Sequence, residues 1–458
     1  MKMNKTTPLD LTETLPSVDE LIDRTSLSRF QIGTIVLCGL VLLLDGFDTQ
    51  SIGFLVPPIS ASLHIPLRAF GPVLVAGLVG LMLASMASGP IADRWGRRWA
   101  VIGSTLAFGV FSIFTARSTS LNELVLFRFL TGLGLGGAMP NVVALASEYA
   151  PKRLQAVLVS MIFSGMGLGA LVAGIAGSFM LPVWGWRSVL YLGGGLPIAL
   201  AFILIAALPE SIRFLMLRGI DPKRVATLAR RMGLSDQQAT TPVRKTSDNL
   251  SERLAVVNLF TEGRSTGTLL LWVPFFMNLL ILYFILSWLP ALLRQAGLPQ
   301  QAGITGVSLF SLGGVIGSLL EGRWMNRFGA SKLMLTEFIV SLLLIVLLAF
   351  LFASYPIMMA VTFTLGVSVQ GAQAGLNALA AIFYPTSIRS TGIGWCSGIG
   401  RIGSIIGPLI GGVLLSLAWT PRQIFLSGVV PALCSAMVVF LSVRLRITSP
   451  YGLEFRIR

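Results

Sequence analysis

The sequence predicts an all-α membrane protein whose twelve transmembrane helices form two six-helix halves. Of the 458 residues, 54% are hydrophobic and only 12% are charged, whereas a typical soluble domain carries about 25% charged residues. Apolar runs long enough to cross a bilayer, which takes about 20 residues, occur twelve times along the chain. The second six runs also repeat sequence features of the first six.

Polar stretches divide the chain into five predicted parts. These are an N-terminal tail over 1–30, a six-helix bundle over 31–208, a central loop over 209–266, a second six-helix bundle over 267–445 and a C-terminal tail over 446–458. Within the central loop, Asp221 and Pro222 indicate the start of a short amphipathic helix that we expect to reach residue 232.

The distribution of lysine and arginine predicts which side of the membrane each loop faces. Even without the central loop, 17 of these residues lie on the side of the two tails and 5 lie on the opposite side. Because basic loops remain in the cytoplasm, we expect both tails and the central loop to be cytoplasmic. The net charge of +15 then faces the anionic lipid of the inner leaflet, so nucleic acid is not needed to explain it.

An internal repeat relates the two halves at a constant offset of 233 residues. Gly89, Arg94 and Gly96 after span two recur as Gly322, Arg327 and Gly329 after span eight. The same offset carries Pro57 onto Pro290 and the run Ser164-Gly165-Met166-Gly167 onto Ser397-Gly398-Ile399-Gly400. Two six-helix halves related by parallel duplication are typical of transporters, whose substrate site lies between the halves near the bilayer midplane.

Two carboxylates, Asp45 and Asp48, lie in the middle of span one. They are three residues apart and therefore share one face of the helix. A carboxylate at the centre of a span costs about 2.5 to 3.5 kcal/mol on insertion scales, so both side chains must face protein or water. We expect them to couple transport to protons. The alternative is a buried structural pair bonded to a neighbouring helix.

Two arginines also lie inside predicted spans, Arg128 in span four and Arg401 in span eleven. Arg401 lies at a depth similar to that of Asp45, and its planar guanidinium matches the geometry of a carboxylate. Arg128 lies at the depth of Asp48, so a pair between them is plausible. We expect both arginines to bind an anionic substrate. The alternative for Arg401 is a permanent structural pair with Asp45.

A ring-shaped ligand needs apolar and aromatic walls together with a few polar contacts. The candidates for the walls are Phe47, Tyr283, Trp288 and Trp395, and those for polar contacts are Asn278, Gln370, Gln373 and Asn377. Each of them is at least as often a packing or interhelical residue. A further acid, Glu321 in span eight, is equally compatible with pairing to Arg323 or Arg389 and with a role in transport.

The loop after span two carries charges that could hold the inner ends of the halves together while the cavity faces outward. The predicted cytoplasmic gate comprises Gly89, Asp93, Arg94, Gly96, Arg97, Glu148, Arg153, Asn326 and Arg327. Glycine permits the tight turn there, and Asp93 can cap a helix or pair with a basic side chain. The alternative is a turn that only fixes topology.

This loop resembles the signature of the major facilitator superfamily, and the resemblance extends over essentially the whole chain. The run Asp45-Gly46-Phe47-Asp48-Thr49, the glycine-rich run that begins at Arg128 and Gly400-Arg401-x-Gly403 resemble the aromatic acid:proton symporters, which include permeases for 4-hydroxybenzoate and protocatechuate. The resemblance implies that Asp45, Asp48, Arg128 and Arg401 are required for uptake. Asn326 departs from the pattern, because the superfamily has an acid there.

We therefore expect a bacterial inner-membrane transporter with the major facilitator fold that imports an aromatic carboxylate together with protons. Protonation of Asp45 or Asp48 would free an arginine for the substrate carboxylate, and which aspartate carries the proton is left open. We expect a monomer that uses protons as the coupling ion and needs no cofactor or metal. An enzyme is not expected, because no nucleophile–base pair or nucleotide-binding loop is present. A carrier of another organic anion, a proton-driven antiporter and a sensor are the alternatives.

Overall fold

The computed structural model describes residues 27–218, 222–232, 256–295, 298, 300–350 and 355–444. The predicted C-terminal tail, most of the predicted N-terminal tail and much of the central loop, including Asp221, lie outside these residues. The proposed division into five parts therefore remains a prediction.

The described part of the first half consists of five helices. They are α1 (Arg29–Leu63), α2 (Gly71–Trp95), α3 (Arg97–Arg117), α4 (Leu121–Tyr149) and α5 (Lys152–Ala207). Helix α5 has 56 residues, and Gly185 within it has the non-helical angles φ 71° and ψ 178°. This kink divides α5 into two membrane spans, so five helices provide six crossings. Two short helices follow, α6 (Ile212–Arg218) and α7 (Pro222–Arg231), and α7 lies where the amphipathic helix is predicted.

The second half follows the same order with one further break. Its helices are α8 (Ser265–Gln295), α9 (Gln300–Phe328), α10 (Ala330–Phe350), α11 (Tyr355–Phe383), α12 (Arg389–Ser416), α13 (Pro421–Ser427) and α14 (Val429–Arg444). Helices α13 and α14 form a single span. Among the described residues, eleven stretches are long and apolar enough to cross a membrane, and one of them is the double span α5. The predicted all-α class with twelve spans is confirmed.

In each half, glycines bring one pair of helices into direct backbone contact, and the pairs are equivalent in the two halves. In the first half, a Cβ at Gly132 or Gly136 of α4 would overlap the backbone of α2. In the second half, a Cβ at Gly366 of α11 would overlap the backbone of α9, and one at Gly317 of α9 would overlap α11. Close backbone packing through small residues is how helices associate in a bilayer, where lipid offers no hydrophobic driving force. The internal repeat therefore has a structural counterpart.

The two repeated loops end in glycines with positive φ, 104° at Gly96 and 84° at Gly329. We call the end of the molecule that carries these two turns the Gly96 end. Here the backbones of the two halves also touch, because a Cβ at Gly89 of α2 would lie 2.5 Å from backbone atoms of Ser390 and Thr391 at the start of α12. Gly322 of α9 lies equally close to Val157 of α5. The halves are therefore packed against each other at this end.

Candidate functional site

A cavity lies between the two halves, about midway along the helices. Its empty volume is about 980 Å³, part of which is open to solvent. The first half contributes Gly46, Thr49, Gln50, Met139, Phe163, Ser164, Met166, Gly167 and Ala170. The second half contributes Leu279, Leu282, Tyr283, Leu286, Ser311, Gly314, Val315, Ser318, Gln370, Gln373, Ala374, Ser397 and Arg401. The wall is mostly apolar, with polar groups concentrated on the second half.

Arg401 is the arginine that lines this cavity. It projects from α12, is only 4% exposed, and donates a hydrogen bond of 2.7 Å from Nη1 to the Tyr283 hydroxyl on α8. Gln370 and Gln373 of α11 lie at the same cavity, and Gln373 Oε1 accepts a bond of 3.0 Å from Asn278 Nδ2. Four predicted binding residues, Arg401, Tyr283, Gln370 and Gln373, are thus brought together on one wall.

Asp45 lies directly behind the opposite wall, which its neighbours Gly46 and Thr49 line. The carboxyl group is 1% exposed, and its Oδ1 accepts a bond of 3.0 Å from the Thr49 hydroxyl. Its Oδ2 has no hydrogen-bond partner among the described residues. Arg401 supplies the positive charge that acts on Asp45, yet no ion pair of 4.0 Å or less joins the two. In this structure they are neighbours in one electrostatic site rather than a closed salt bridge.

Asp48 is fully paired within the first half. Its Oδ2 forms an ion pair of 2.9 Å with Arg128 Nη1 of α4, and its Oδ1 accepts a bond of 3.0 Å from the Ser112 hydroxyl of α3. Both Asp48 and Arg128 are buried, and neither lines the cavity. The pair ties α1, α3 and α4 together, and the predicted roles of these two residues in transport remain predictions.

The other predicted binding residues lie around the cavity rather than on it. Asn278 bridges α8 to α11 through its bonds to Gln373 and to the Val369 carbonyl, at 3.0 Å each. Asn377 donates to the carbonyl of Gln373 on its own helix at 2.7 Å. These two amides support the cavity wall from behind.

Three of the four predicted aromatic wall residues do not line the cavity. Trp288 donates from Nε1 to the Pro408 carbonyl at 2.9 Å, and the other two are used in packing. Trp395 stacks on Trp272 with ring centroids 5.7 Å apart and an interplanar angle of 16°. Phe47 is 1% exposed and packs in the apolar core of the first half, next to Gly193. Tyr283 is the predicted aromatic residue that reaches the cavity.

Several polar residues of the cavity were missed by the sequence argument, namely Thr49, Gln50, Ser164, Ser311, Ser318 and Ser397. The repeat contained a signal for two of them, because Ser164 and Ser397 occupy equivalent positions and both line the cavity. Thr49 was part of the span-one motif. The remaining positions depend on helix rotation, which the sequence alone does not specify.

A cluster of charges joins the two halves at the Gly96 end. Arg97 forms an ion pair with Glu148 and donates from Nε to the Ser390 hydroxyl of α12 at 3.1 Å. Asp93 Oδ2 accepts from the backbone N–H and the hydroxyl of Thr391, at 3.1 and 2.7 Å. We call this cluster, with Arg389, the latch; its members are Asp93, Arg97, Glu148, Arg389, Ser390 and Thr391.

Glu148 lies at the centre of the latch. Its Oε1 is 3.9 Å from Arg389 Nη1 of the second half, and its Oε2 accepts a bond from the Ser211 hydroxyl. Asn326 adds a contact elsewhere at this end by donating to the carbonyl of Arg153 at 2.7 Å. Arg94 and Arg327 are exposed, outside the latch. The polar start of α12 supplies the partners that the sequence argument did not name.

The comparisons with known proteins agree with this architecture. The Major Facilitator Superfamily matches residues 38–335 and 299–454. The chain belongs to this superfamily. The structure of the proton:xylose symporter XylE bound to 6-bromo-6-deoxy-D-glucose is similar in fold, with a TM-score of 0.75 at 16% identity, over 90% of this chain and 95% of that one.

Closer relatives define the branch of the superfamily. The 4-hydroxybenzoate transporter PcaK of Pseudomonas aeruginosa is 37% identical over 93% of this chain and 97% of its own length. The gallate transporter of Pseudomonas putida is 36% identical over 94% of this chain and 96% of its own length. The predicted resemblance to the aromatic acid permeases is confirmed. The chain is a multi-pass membrane transporter, and the expectation that it is not an enzyme is confirmed by these relatives.

The buried Asp48–Arg128 pair predicts a specific pattern of stability. Replacing Asp48 by Asn leaves the Arg128 charge buried without an acid, which we expect to cost about 3 to 5 kcal/mol. The double variant Asp48→Asn, Arg128→Gln removes both charges and should recover most of this loss. Thermal unfolding in detergent measures both effects. A single variant as stable as the natural protein would show that the pair does not hold the bundle together.

The latch predicts that Glu148 keeps the Gly96 end closed. In a variant whose three native cysteines are replaced by alanine, spin labels at the exposed positions Trp95 and Phe328 report the separation of the halves at this end. Glu148→Ala removes the shared acceptor of Arg97 and Arg389, so we expect a new population at longer distance in pulsed electron resonance.

The matched control for the latch is Glu123→Ala, since Glu123 lies on the same helix at the opposite end and bonds only locally, to Thr119 and Ser120. The control should leave the distance distribution unchanged. An unchanged distribution in Glu148→Ala would contradict the latch.

Proposed function

We propose that this chain imports aromatic carboxylates by proton symport with alternating access. The observation that carries the proposal is the environment of Arg401, a buried guanidinium at the wall of the central cavity that donates to the neutral hydroxyl of Tyr283. Arginine stays protonated in proteins and presents several N–H donors in a planar fork. A carboxylate in the cavity would receive a charge-assisted hydrogen bond from it.

The choice of an aromatic ligand is supported by the cavity wall and by the relatives. Around Arg401 the wall offers apolar side chains such as Leu279, Leu282 and Phe163, with which a ring can pack. Gln370 and Gln373 provide amide groups within the same cavity, where ring hydroxyls would lie. The named relatives transport 4-hydroxybenzoate and gallate, which are aromatic acids of this kind.

The proton site we propose is Asp45, with Asp48 left in its pair. Asp45 is buried, one of its oxygens has no hydrogen-bond partner among the described residues, and Arg401 is the nearby cation. When Asp45 takes up a proton, the Arg401 charge becomes fully available to the substrate carboxylate. With both or neither of the two ligands bound, the charges of Arg401, Asp45 and the substrate sum to zero, whereas the proton or the anion alone leaves one uncompensated charge. The halves can therefore close around the cavity at a lower cost when proton and anion bind together.

The latch supports an inward-closed state within this cycle. We place the Gly96 end on the cytoplasmic side because of the basic loops, so that the contact between the halves at this end would close the cavity inward and substrate would enter from outside. Import then requires the contacts of Asp93, Arg97 and Glu148 with the start of α12 to break while contacts form at the other end. We place the chain in the bacterial inner membrane as a monomer with both termini cytoplasmic, with protons as its coupling ion and no other cofactor.

Purified protein in proteoliposomes tests the proton coupling. With an imposed pH gradient, acid outside, we expect labelled 4-hydroxybenzoate to accumulate inside, and a protonophore to abolish the accumulation. In Asp45→Asn, which has no proton to exchange at this position, accumulation should fall to background while exchange of internal for external substrate continues. Glu123→Gln, an acid replacement remote from the cavity, should accumulate normally.

Each other outcome of this assay contradicts a defined part of the proposal. Uptake that ignores the gradient would exclude proton symport, and gradient-driven expulsion would indicate an antiporter. Competition by a non-aromatic organic anion as strong as that by protocatechuate would exclude aromatic specificity.

The role of Arg401 predicts a loss of affinity in Arg401→Lys. Lysine keeps the charge but loses the planar fork, so one hydrogen bond to a charged group, about 1.5 to 3 kcal/mol, is removed. We expect the apparent substrate affinity to fall about 10- to 100-fold, measured by substrate-induced thermal stabilisation. Arg422→Lys, which alters an exposed arginine stacked near Phe350, is the matched control and should bind normally. Equal substrate affinity in Arg401→Lys and Arg422→Lys would show that Arg401 does not bind the substrate.

A further inference from the structure

A second pair of buried acids lies in the second half, away from Asp45 and Asp48. Glu321 of α9 is 0% exposed and Glu337 of α10 is 6% exposed. From the sequence, Arg323 and Arg389 are the candidate partners of Glu321. The structure instead directs it toward Glu337, while Arg323 is exposed and Arg389 belongs to the latch.

Both carboxyl groups converge on one face of α11. A Cβ at Gly371 would lie 3.1 Å from Glu337 Oε1 and 3.4 Å from Glu321 Oε2. A Cβ at Gly375, one turn further along, would overlap Glu321 Oε1. The two glycines therefore leave the space that the carboxyl groups occupy, and the two side chains are placed to form a hydrogen bond with each other.

No cation balances this pair within the described residues. When both groups are counted as carboxylates, all four oxygens lack a hydrogen-bond partner. Among the described titratable groups, the one that interacts with Glu321 is Glu337, and the one that interacts with Glu337 is Glu321. Arg323, Arg327 and Lys332, the basic residues nearest in sequence, are exposed.

Two adjacent carboxylates cannot both remain ionised in a buried, low-dielectric site, because their repulsion and their desolvation are both unfavourable. A single shared proton removes the repulsion and one of the two buried charges: one carboxyl group then donates a hydrogen bond to the other. This bond gives a partner to two of the four otherwise unpartnered oxygens, as buried polar groups require.

The pair is a departure from the internal repeat. At the offset of 233 residues, Glu321 and Glu337 correspond to Ser88 and Ser104 of the first half, which lie near each other beside Gly137. Asp45, conversely, corresponds to Asn278. Each half thus places acids where the other half has neutral polar residues, and the shared scaffold does not require either set.

The location of the pair relates it to the cavity and to the contact between the halves. Ser318, one turn before Glu321 on α9, lines the cavity, and Gly322, the residue after Glu321, packs closely on Val157 of α5. The pair therefore lies between the substrate cavity and the Gly96 end, in a segment of α9 that contacts both.

We propose that Glu321 and Glu337 together bind one proton, forming a second intramembrane proton site in the half that lacks the Asp45 equivalent. Proton binding here does not depend on which substrate is carried, so it stands apart from the proposed symport. In a proton-coupled cycle it would add a protonatable group on the side of Arg401.

Infrared spectroscopy of the reconstituted protein at pH 7, without substrate or gradient, tests the proposal. A protonated carboxyl group gives a C=O stretch that is separate from the bands of carboxylates. We expect the intensity of one such group to be lost in the double variant Glu321→Gln, Glu337→Gln. A second double variant, Glu321→Met, Glu337→Leu, removes the same carboxyl groups with apolar side chains and should lose the same band if the first variant fails to fold.

The controls assign the band to this pair. Glu262→Gln removes an exposed acid and should leave the band intact, and Asp45→Asn should leave the component assigned to the pair intact. Identical carboxyl intensity in the natural protein and in the double variants would overturn the proposal. The proposal would also be overturned if the band appeared only after sodium was replaced by a bulky organic cation. That result would show that the pair binds a sodium ion instead of a proton when sodium is present. Failure of uptake in proteoliposomes leaves this measurement unaffected, which separates the two proposals.

Discussion

The cost of burying charge in a bilayer determines how this molecule is arranged. An ionised side chain within a span is stable only when it pairs with an opposite charge, faces water or takes up a proton. Asp48 meets this requirement with Arg128 and Ser112, and the latch meets it with Glu148 between Arg97 and Arg389. These two groups are satisfied within the protein. Arg401 and Asp45 are not closed into a pair, and a ligand and a proton can complete them.

This contrast gives the two kinds of charged group different roles. The Asp48–Arg128 pair joins helices within one half, so the proposed rocking of the halves would leave it intact. The latch joins different halves, so in the proposed alternating-access cycle it would have to break. Its strength therefore has an upper limit: neutral donors such as Thr391 give contacts that can be replaced by water more cheaply than buried ion pairs can. Asn326 on the equivalent loop, a neutral side chain that donates to the Arg153 carbonyl, fits the same requirement.

The sequence was sufficient for the features that depend on composition and on position along a helix. The twelve spans, the two halves and the depth of Asp48 and Arg128 follow from hydropathy and from the rise per residue. It was not sufficient where the rotation of a helix about its axis decides the outcome. Trp395 and Phe47 are at suitable depths, but their side chains pack against other residues and do not line the cavity. Trp395 stacks on Trp272. Gln373 and Asn377 lie one turn apart on α11, and only Gln373 reaches the cavity.

The repeat resolves part of this ambiguity, because it separates the positions that shape the backbone and the cavity wall from the positions that carry charge. Positions that are the same in both halves, such as Gly96 and Gly329 or Ser164 and Ser397, serve turns and the cavity wall symmetrically. Positions that differ carry the charges: Asp45 against Asn278, Arg401 against Leu168, and Glu321 against Ser88. A duplicated scaffold gives each half the same backbone and the same packing. The asymmetry that the proposed binding of an anion on one wall and a proton on the other requires would then come from single substitutions at equivalent sites, and these are the sites at which the two halves differ.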